Sequence, residues 1–264
     1  MTSPGEPTRR APLSGITYSS GWSGGTRHFR ARALGSPRSA AEHPADRLML
    51  FVMRLILVRH GQTSSNVGLL LDTAAPGADL TEAGHAQARA LVERLDGEAI
   101  EAIYASTLVR TQQTAAALAR THQVEVRVLA ELREIGAGDF EMTAEATNYI
   151  TTLMKWHAGD LAARIQGGEN AAEFFARYDA AIERIAAAGH RTAVAVSHGA
   201  ALRVWASARV PGFAETIGNG HLANTGLIIA EGSPATGWAL ARTDGFMHYS
   251  NEPSALDAEQ EAAS

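Results

Sequence analysis

The sequence predicts an α/β fold in three layers, with helices on both faces of a mostly parallel central sheet. Three observations carry this expectation. Short apolar, β-branched runs alternate along the chain with longer stretches whose apolar residues recur at helical spacing. The runs are apolar at successive positions, as strands covered on both faces must be. The length, 264 residues, suffices for one large domain or two small ones with a proper core.

Residues 54–58 (RLILV) form the first expected strand. Thr81 is placed to cap a helix whose apolar positions include Ala86, Ala90, Leu91 and Leu95, ended by Gly97. A short strand is expected at 102–105 and an alanine-rich helix over about 108–120. Residues 124–129 alternate as a strand, and the glycine-containing loop LREIGAGDFEM follows. Helical stretches over about 144–157 and 171–188 flank the turn QGGEN. A buried strand at 192–197, a helix at 200–208 and closing strands at 226–230 and 238–242 complete the order.

The folded domain is expected over 53–250. Residues 1–52 read as a disordered leader: up to Arg47 they hold Gly, Ser, Pro and seven arginines against Glu6, Glu42 and Asp46, which cannot build a core. The Arg- and Ser-rich, acid-poor composition also resembles a transit peptide. We prefer a start-site artefact, because Met53 opens MRLILVRHG and Met49 lies just before it. Residues 251–264 read as a flexible tail.

Composition narrows the function classes. Hydrophobic residues are 45% and charged residues 19%, and the net charge is −5, so a nucleic-acid partner is not expected. Cysteine is absent, which excludes disulfides, thiolate catalysis and cysteine-ligated metals. Lys155 is the one lysine, so nearly all positive charge is arginine. No run approaches the roughly 20 apolar residues of a membrane helix, and a cytoplasmic location with no membrane partner is expected.

The unusual residues fall after strands. Arg59-His60-Gly61 follows the first, Ser106 to Arg110 follows the second, and Ser197-His198-Gly199 follows the strand at 192–197. Carboxyl ends of parallel strands share one edge, where ligands bind. Arg59, His60, Arg110 and His198 are therefore expected to converge, and such a pocket suits a phosphate. Gly61 is expected to permit the close turn that aims His60 into the crevice. Taken singly, each has a bland reading: a structural histidine, a helix start, a solvated arginine.

Together these residues resemble the histidine phosphatase superfamily, which includes the cofactor-dependent phosphoglycerate mutases. The resemblance runs in order from Met53 to about Tyr249. It rests on Arg59-His60-Gly61-Gln62-Thr63 with Asn66, then Leu80-Thr81-Glu82-Ala83-Gly84-His85-Ala86-Gln87-Ala88. Next come Ser106 to Ala115 (STLVRTQQTA), Leu132-Arg133-Glu134, Gly167-Gly168-Glu169 and Ser197-His198-Gly199. It implies a phosphoglycerate mutase-like fold with His60 as nucleophile. Arg59, Arg110 and His198 hold the phosphoryl oxygens, and Asn66 and Gly199, with the N–H that follows it, are secondary phosphate contacts. Glu131, Glu134, Asp139 and Glu141 are the nearby candidate acids, and the family pattern points to Glu134. Neither metal nor cofactor is expected, and His85, His122, His157, His190, His221 and His248 show no metal-ligand spacing.

The implied enzyme is a histidine acid phosphatase-like phosphoric monoester hydrolase acting on a small-molecule ester, with a homodimer left open. Two departures from the family pattern bear on substrate. An Arg/Gln-rich stretch is replaced by the apolar, glycine-rich residues 68–77, which disfavours recognition of a second anion. Gly-x-Trp-Glu-Gly becomes Gly138-Asp139-Phe140-Glu141-Met142, which is expected to reshape the pocket wall or fill a packing gap. Tyr149, Met154, Lys155, Trp156 and His157 lie in a lid-like region, where most are expected to pack beneath the lid. Mutase-type phosphoryl transfer and a phosphate-binding module without turnover are the competing readings.

Overall fold

A computed structural model describes residues 52–218 and 220–247. The expected leader, Val52 apart, and the expected tail lie outside these residues. One mixed sheet of six strands forms the centre. In chain order these are β1 (Met53–Arg59), β2 (Ala102–Ala105), β3 (Val126–Val128), β4 (Thr192–Ser197), β5 (His221–Ser233) and β6 (Gly237–Met247). They lie in the order β3-β2-β4-β1-β5-β6. The first four are mutually parallel, whereas β5 runs antiparallel to β1 and pairs with β6 as a hairpin. The closing strands are thus much longer than expected and reverse the direction of the sheet's far side.

The two sides of each parallel strand bury into different cores. Leu55, Leu57, Tyr104, Ala193 and Ala195 face one cluster. Ile56, Val58, Ile103, Val194 and Val196 face the other. This alternation is the pleat's two-residue period, and with helices on both faces it gives the three layers the sequence predicts. Fully burying each Leu or Ile contributes about 1.5–3 kcal/mol relative to exposure.

The helices are α1 (Ser64–Val67), α2 (Glu82–Arg94), α3 (Val109–His122), α4 (Thr147–His157), α5 (Ala171–Ala187), α6 (Gly199–Arg209) and α7 (Phe213–Ile217). Helices α2 and α3 contribute Leu91, Ala115 and Leu118 to one face. Helices α5 and α6 contribute Phe174, Tyr178, Leu202 and Trp205 to the other. Thr81 caps α2, accepting from the Gly84 N–H at 3.0 Å. Helices α1 and α7 carry too few turns to leave a periodic signal and were not expected. Strand β3, at one edge of the sheet, has three residues where six were expected.

Gly61 differs from expectation in an instructive way. Its φ is not positive, so no left-handed turn requires glycine there. The constraint is close approach: a Cβ on Gly61 would stand 2.7 Å from the Gly84 carbonyl oxygen, and one on Gly84 would overlap the Gln62 carbonyl oxygen. Two glycines thus let the Arg-His-Gly loop lie directly on the first turn of α2.

Gly84→Ala tests this contact, because an alanine inside a helix normally gains about 0.5–1 kcal/mol over glycine. Here we expect a loss of about 1–3 kcal/mol in urea unfolding from overpacking. A gain in stability would show that the loop and helix separate freely.

Candidate active site

The register of the sheet builds the site. Arg59 is paired with Ser197 across β1 and β4, so His60 and His198 are the next residues out of adjacent strands. The His60 N–H donates to the Ser197 carbonyl at 3.1 Å, and the two imidazole rings sit edge to face, 5.2 Å apart. Strand β2 ends level with Val196, which places Ser106 beside them and Arg110 in the first turn of α3. Arg59, His60, Arg110, Glu134, Asn66 and Gly199 all line one cleft of about 990 Å³. His198 is brought to them but is fully buried behind the cleft wall.

Hydrogen bonds set the state of each ring. His60 Nδ1 lies 2.7 Å from the Gly61 carbonyl, which can only accept, so Nδ1 carries the proton and Nε2 keeps its lone pair. Arg110 Nη2 donates to His198 Nδ1 at 3.3 Å, which leaves His198 Nε2–H to donate to Ser106 Oγ at 2.8 Å. Ser106 Oγ in turn reaches Thr111 Oγ1 at 3.0 Å, whose proton goes to the Leu108 carbonyl at 2.7 Å. Burial first, then Arg110 and Arg59, holds the His60 imidazole well below its ordinary value. Burial and then Arg110 do the same for His198. Both rings are therefore neutral near pH 7.

The arginines are held from behind. Arg59 Nη1 donates to the Leu222 carbonyl at 2.6 Å, and Arg110 Nη2 donates to the Asp72 carbonyl at 2.6 Å. The Asp72 carboxylate stands 3.4 Å from Arg110 Nη1 and accepts from Ser65 Oγ at 2.8 Å and the Ala78 N–H at 2.9 Å. Among the described residues, Arg59 Nε and Arg110 Nε and Nη1 are buried without a hydrogen-bond partner. Unmet buried donors are costly, about 1–3 kcal/mol each and more when charged. A set of them beside a bare imidazole nitrogen is built for an anion with several oxygens.

Glu134 is pinned by three backbone donors. Its Oε1 accepts from the Ile135 and Ala201 N–H groups at 2.9 and 2.8 Å, and its Oε2 accepts from Ala200 at 3.1 Å. Two of these donors, the Ala200 and Ala201 N–H groups, belong to the first turn of α6. The N–H following Gly199, expected to face phosphate, is thus spent on Glu134. Gly199 itself has a different reason to lack a side chain, since a Cβ would stand 3.2 Å from Arg59 Nε. Asn66 accepts through Oδ1 from Thr63 N–H at 3.1 Å and Asn224 Nδ2 at 3.0 Å, so its amide nitrogen is what it offers the cleft.

The other candidate acids stand elsewhere. Glu131 pairs with Arg184 at 2.8 Å, and Asp139 accepts from Gln166 Nε2 at 3.0 Å. Glu141 accepts from the Thr73 N–H at 2.7 Å, the Ala74 N–H at 3.0 Å and the Thr73 hydroxyl. Met142 corrects the expectation for the altered Gly-x-Trp-Glu-Gly segment. Its side chain is 53% exposed and neither lines the cleft nor fills the core. Its φ of 58° explains why glycine suits that place. In the lid, Tyr149 and Trp156 are buried, donating to the Ile135 and Ala163 carbonyls at 3.1 and 2.7 Å, while Met154 is exposed.

Several site residues escaped the sequence reading. Asp72 was submerged in an apolar stretch. Asn224 and Thr225 hold the His60 carbonyl at 3.1 and 3.2 Å from a strand with no motif. Arg177, in the middle of α5, donates to the carbonyls of Glu131, Arg133 and Glu134 and pairs with Glu169 at 2.5 Å, fixing the loop that presents Glu134. A buried arginine on an otherwise apolar helix face was the one available signal. Among the described residues no three His, Asp or Glu side chains are grouped to hold a metal ion.

The neutral histidines make stability depend on pH. Unfolded histidine titrates near 6.5, so below that value the unfolded chain binds more protons than the native one. The unfolding free energy should fall from about pH 6.5 toward the depressed native values, by up to about 1.4 kcal/mol per pH unit for each such histidine. His60, His198 and His221 all shift this way. His60→Gln should remove about one share of the slope in urea titrations between pH 6.5 and 5; an unchanged slope would show that native His60 protonates normally.

Comparison with known proteins agrees with this geometry. Residues 55–244 match the family described as "Histidine phosphatase superfamily (branch 1)". The PE-PGRS family protein PE_PGRS11 of Mycobacterium tuberculosis (strain ATCC 25618 / H37Rv) is 34% identical over 209 residues. That alignment covers 72% of this chain and 36% of the relative, so the chain spans about a third of that protein's length. The adenosylcobalamin/alpha-ribazole phosphatase of Escherichia coli (strain K12) is 32% identical over 154 residues, covering 55% of this chain and 73% of its own. Among solved structures, a mycobacterial glucosyl-3-phosphoglycerate phosphatase with VO3 superposes with a TM-score of 0.60. It is 25% identical, over 73% of this chain and 99% of that one. The chain belongs to the histidine phosphatase superfamily.

Proposed function

We propose that the protein is a phosphomonoester hydrolase that works through a phosphohistidine on His60. The observation that carries this is the bare Nε2 of His60 beside the unpartnered Arg59 and Arg110 nitrogens. Nε2 attacks phosphorus in line, the bond to the ester oxygen breaks, and the guanidiniums bind the charge on the transferring oxygens. Glu134, as the acid, gives the leaving alkoxide its proton. As a base it then takes a proton from water, whose oxygen attacks phosphorus and breaks the P–N bond, releasing inorganic phosphate. The named phosphatase relatives and the VO3-bound neighbour support the reading. Charge stabilisation comes from arginine, so chelator should leave the rate unchanged. Among the described residues no helix is long and apolar enough to cross a membrane.

The depressed His60 value supports activity under acid conditions, because the nucleophile stays unprotonated below pH 6.5. The acid limb of kcat/KM should therefore fall at a pH below 6.5; loss of rate beginning above pH 7 would argue against a buried neutral nucleophile.

Rapid quench with labelled phosphomonoester should show acid-labile phosphate on His60, absent in His60→Ala, with free phosphate as product. Isomerised phosphoglycerate would indicate a mutase, and no labelling across a broad panel would indicate a binding module. Glu134→Gln should slow esters of poor leaving groups about 10²–10⁴-fold and activated aryl phosphates far less. Equal slowing of both would remove Glu134 from the acid role.

A further inference from the structure

The phosphate end occupies a small part of the cleft. Its volume, about 990 Å³, lies at the upper end of the roughly 300–1,000 Å³ that holds a drug-sized ligand. Beyond Arg59 and Arg110 the walls become apolar. Leu70 and Leu71 enter from the loop after α1, Ile150, Leu153 and Met154 from α4, and Val204 from α6. Ile150 and Met154 are 52% and 66% exposed. One such residue on a surface needs no explanation, but two on one helix face at the mouth of a catalytic cleft form a continuation of its wall.

Two arginines, Arg203 and Arg209, also line this outer part. Arg209 is committed to Asp179, at 2.7 Å, and lies over the Phe175 ring. Arg203 donates to the Gly218 carbonyl at 3.4 Å.

We propose that the substrate is the phosphate ester of a bulky apolar alcohol, alkyl or aryl, its organic part lying against Leu70, Leu71, Ile150, Leu153, Met154 and Val204. This rests on the phosphatase reading above and names its substrate class. Burying one methylene gives up to about fourfold in binding, and a half-open wall should give about two- to threefold.

The test is a series of straight-chain alkyl phosphates of four to ten carbons, kept monomeric. Phosphoserine and 3-phosphoglycerate serve as polar comparators and p-nitrophenyl phosphate as the activity control. We expect kcat/KM to rise about two- to threefold per methylene and to exceed that of both polar esters at least tenfold by eight carbons. The double variant Ile150→Ser, Met154→Ser changes two exposed side chains, so folding should survive. It should flatten the series, and Arg203→Gln should leave the preference intact. Turnover of p-nitrophenyl phosphate with a flat series, or with the polar esters preferred, overturns the apolar wall and spares the phosphatase reading. Calorimetry with non-hydrolysable alkylphosphonates reads the wall independently of turnover: affinity rising with chain length supports it, and no dependence on length overturns it. No ester hydrolysed, with length-dependent binding retained, would sink the phosphatase reading alone.

Discussion

Two guanidiniums and two imidazoles packed together at the edge of the sheet are the constraint on which the rest depends. Arg110 is 3% exposed, His60 3% and His198 0%. Burial first, and then the charge of the neighbouring arginines, holds both imidazoles well below their ordinary value. A histidine ordinarily half-protonated near pH 6.5 is thereby held neutral, and the Nε2 of His60 keeps its lone pair. The two guanidiniums also leave the site short of negative charge, which the Asp72 carboxylate meets in part and an incoming phosphate can complete.

Holding such a cluster requires that its backing be rigid and correctly handed. Each ring has a single satisfied tautomer because one of its partners has no choice: the Gly61 carbonyl cannot donate, and the Arg110 guanidinium cannot accept. Each arginine spends a nitrogen on a backbone carbonyl and keeps others for the cleft. The loops making these contacts are locked by backbone-to-backbone packing, as at Gly61 and Gly84, or by side chains reaching back, as Arg177 does to three carbonyls near Glu134. Positioning of this kind, fixed before substrate arrives, is what phosphoryl transfer asks of a protein.

The legible part of the site is the part where local sequence and topology coincide. Parallel strands put His60, Ser106 and His198 on one edge whatever the details, so strand order and residue type sufficed to bring Arg59, His60, Arg110 and His198 together. The three-layer sheet was legible for the same reason, since β1, β2 and β4 are apolar on both faces. Contacts between residues far apart in sequence and without periodicity were not. Asp72 reads as one acid in an apolar loop until Arg110 is placed 38 residues away in sequence. Asn224 and Thr225 depend on where the long hairpin crosses β1, and 226–230 marked its apolar middle without its ends. Gly61 was legible as a close turn, but not the neighbour across space, the Gly84 carbonyl, that excludes a side chain there.

These two degrees of legibility separate the two ends of the cleft. The phosphate end is built from short-range consequences of strand geometry, and a change in any of its parts leaves a buried charge or donor without compensation. The organic end is built from loops and from one face of α4, where Ile150 and Met154 are exposed and little else depends on them. Nothing in the folding of the sheet dictates that leucines stand at Leu70 and Leu71. The chemistry therefore follows from constraints the fold cannot relax, while substrate choice rests on side chains that the fold leaves free. An apolar wall facing a fixed phosphate cradle is the form that freedom takes here.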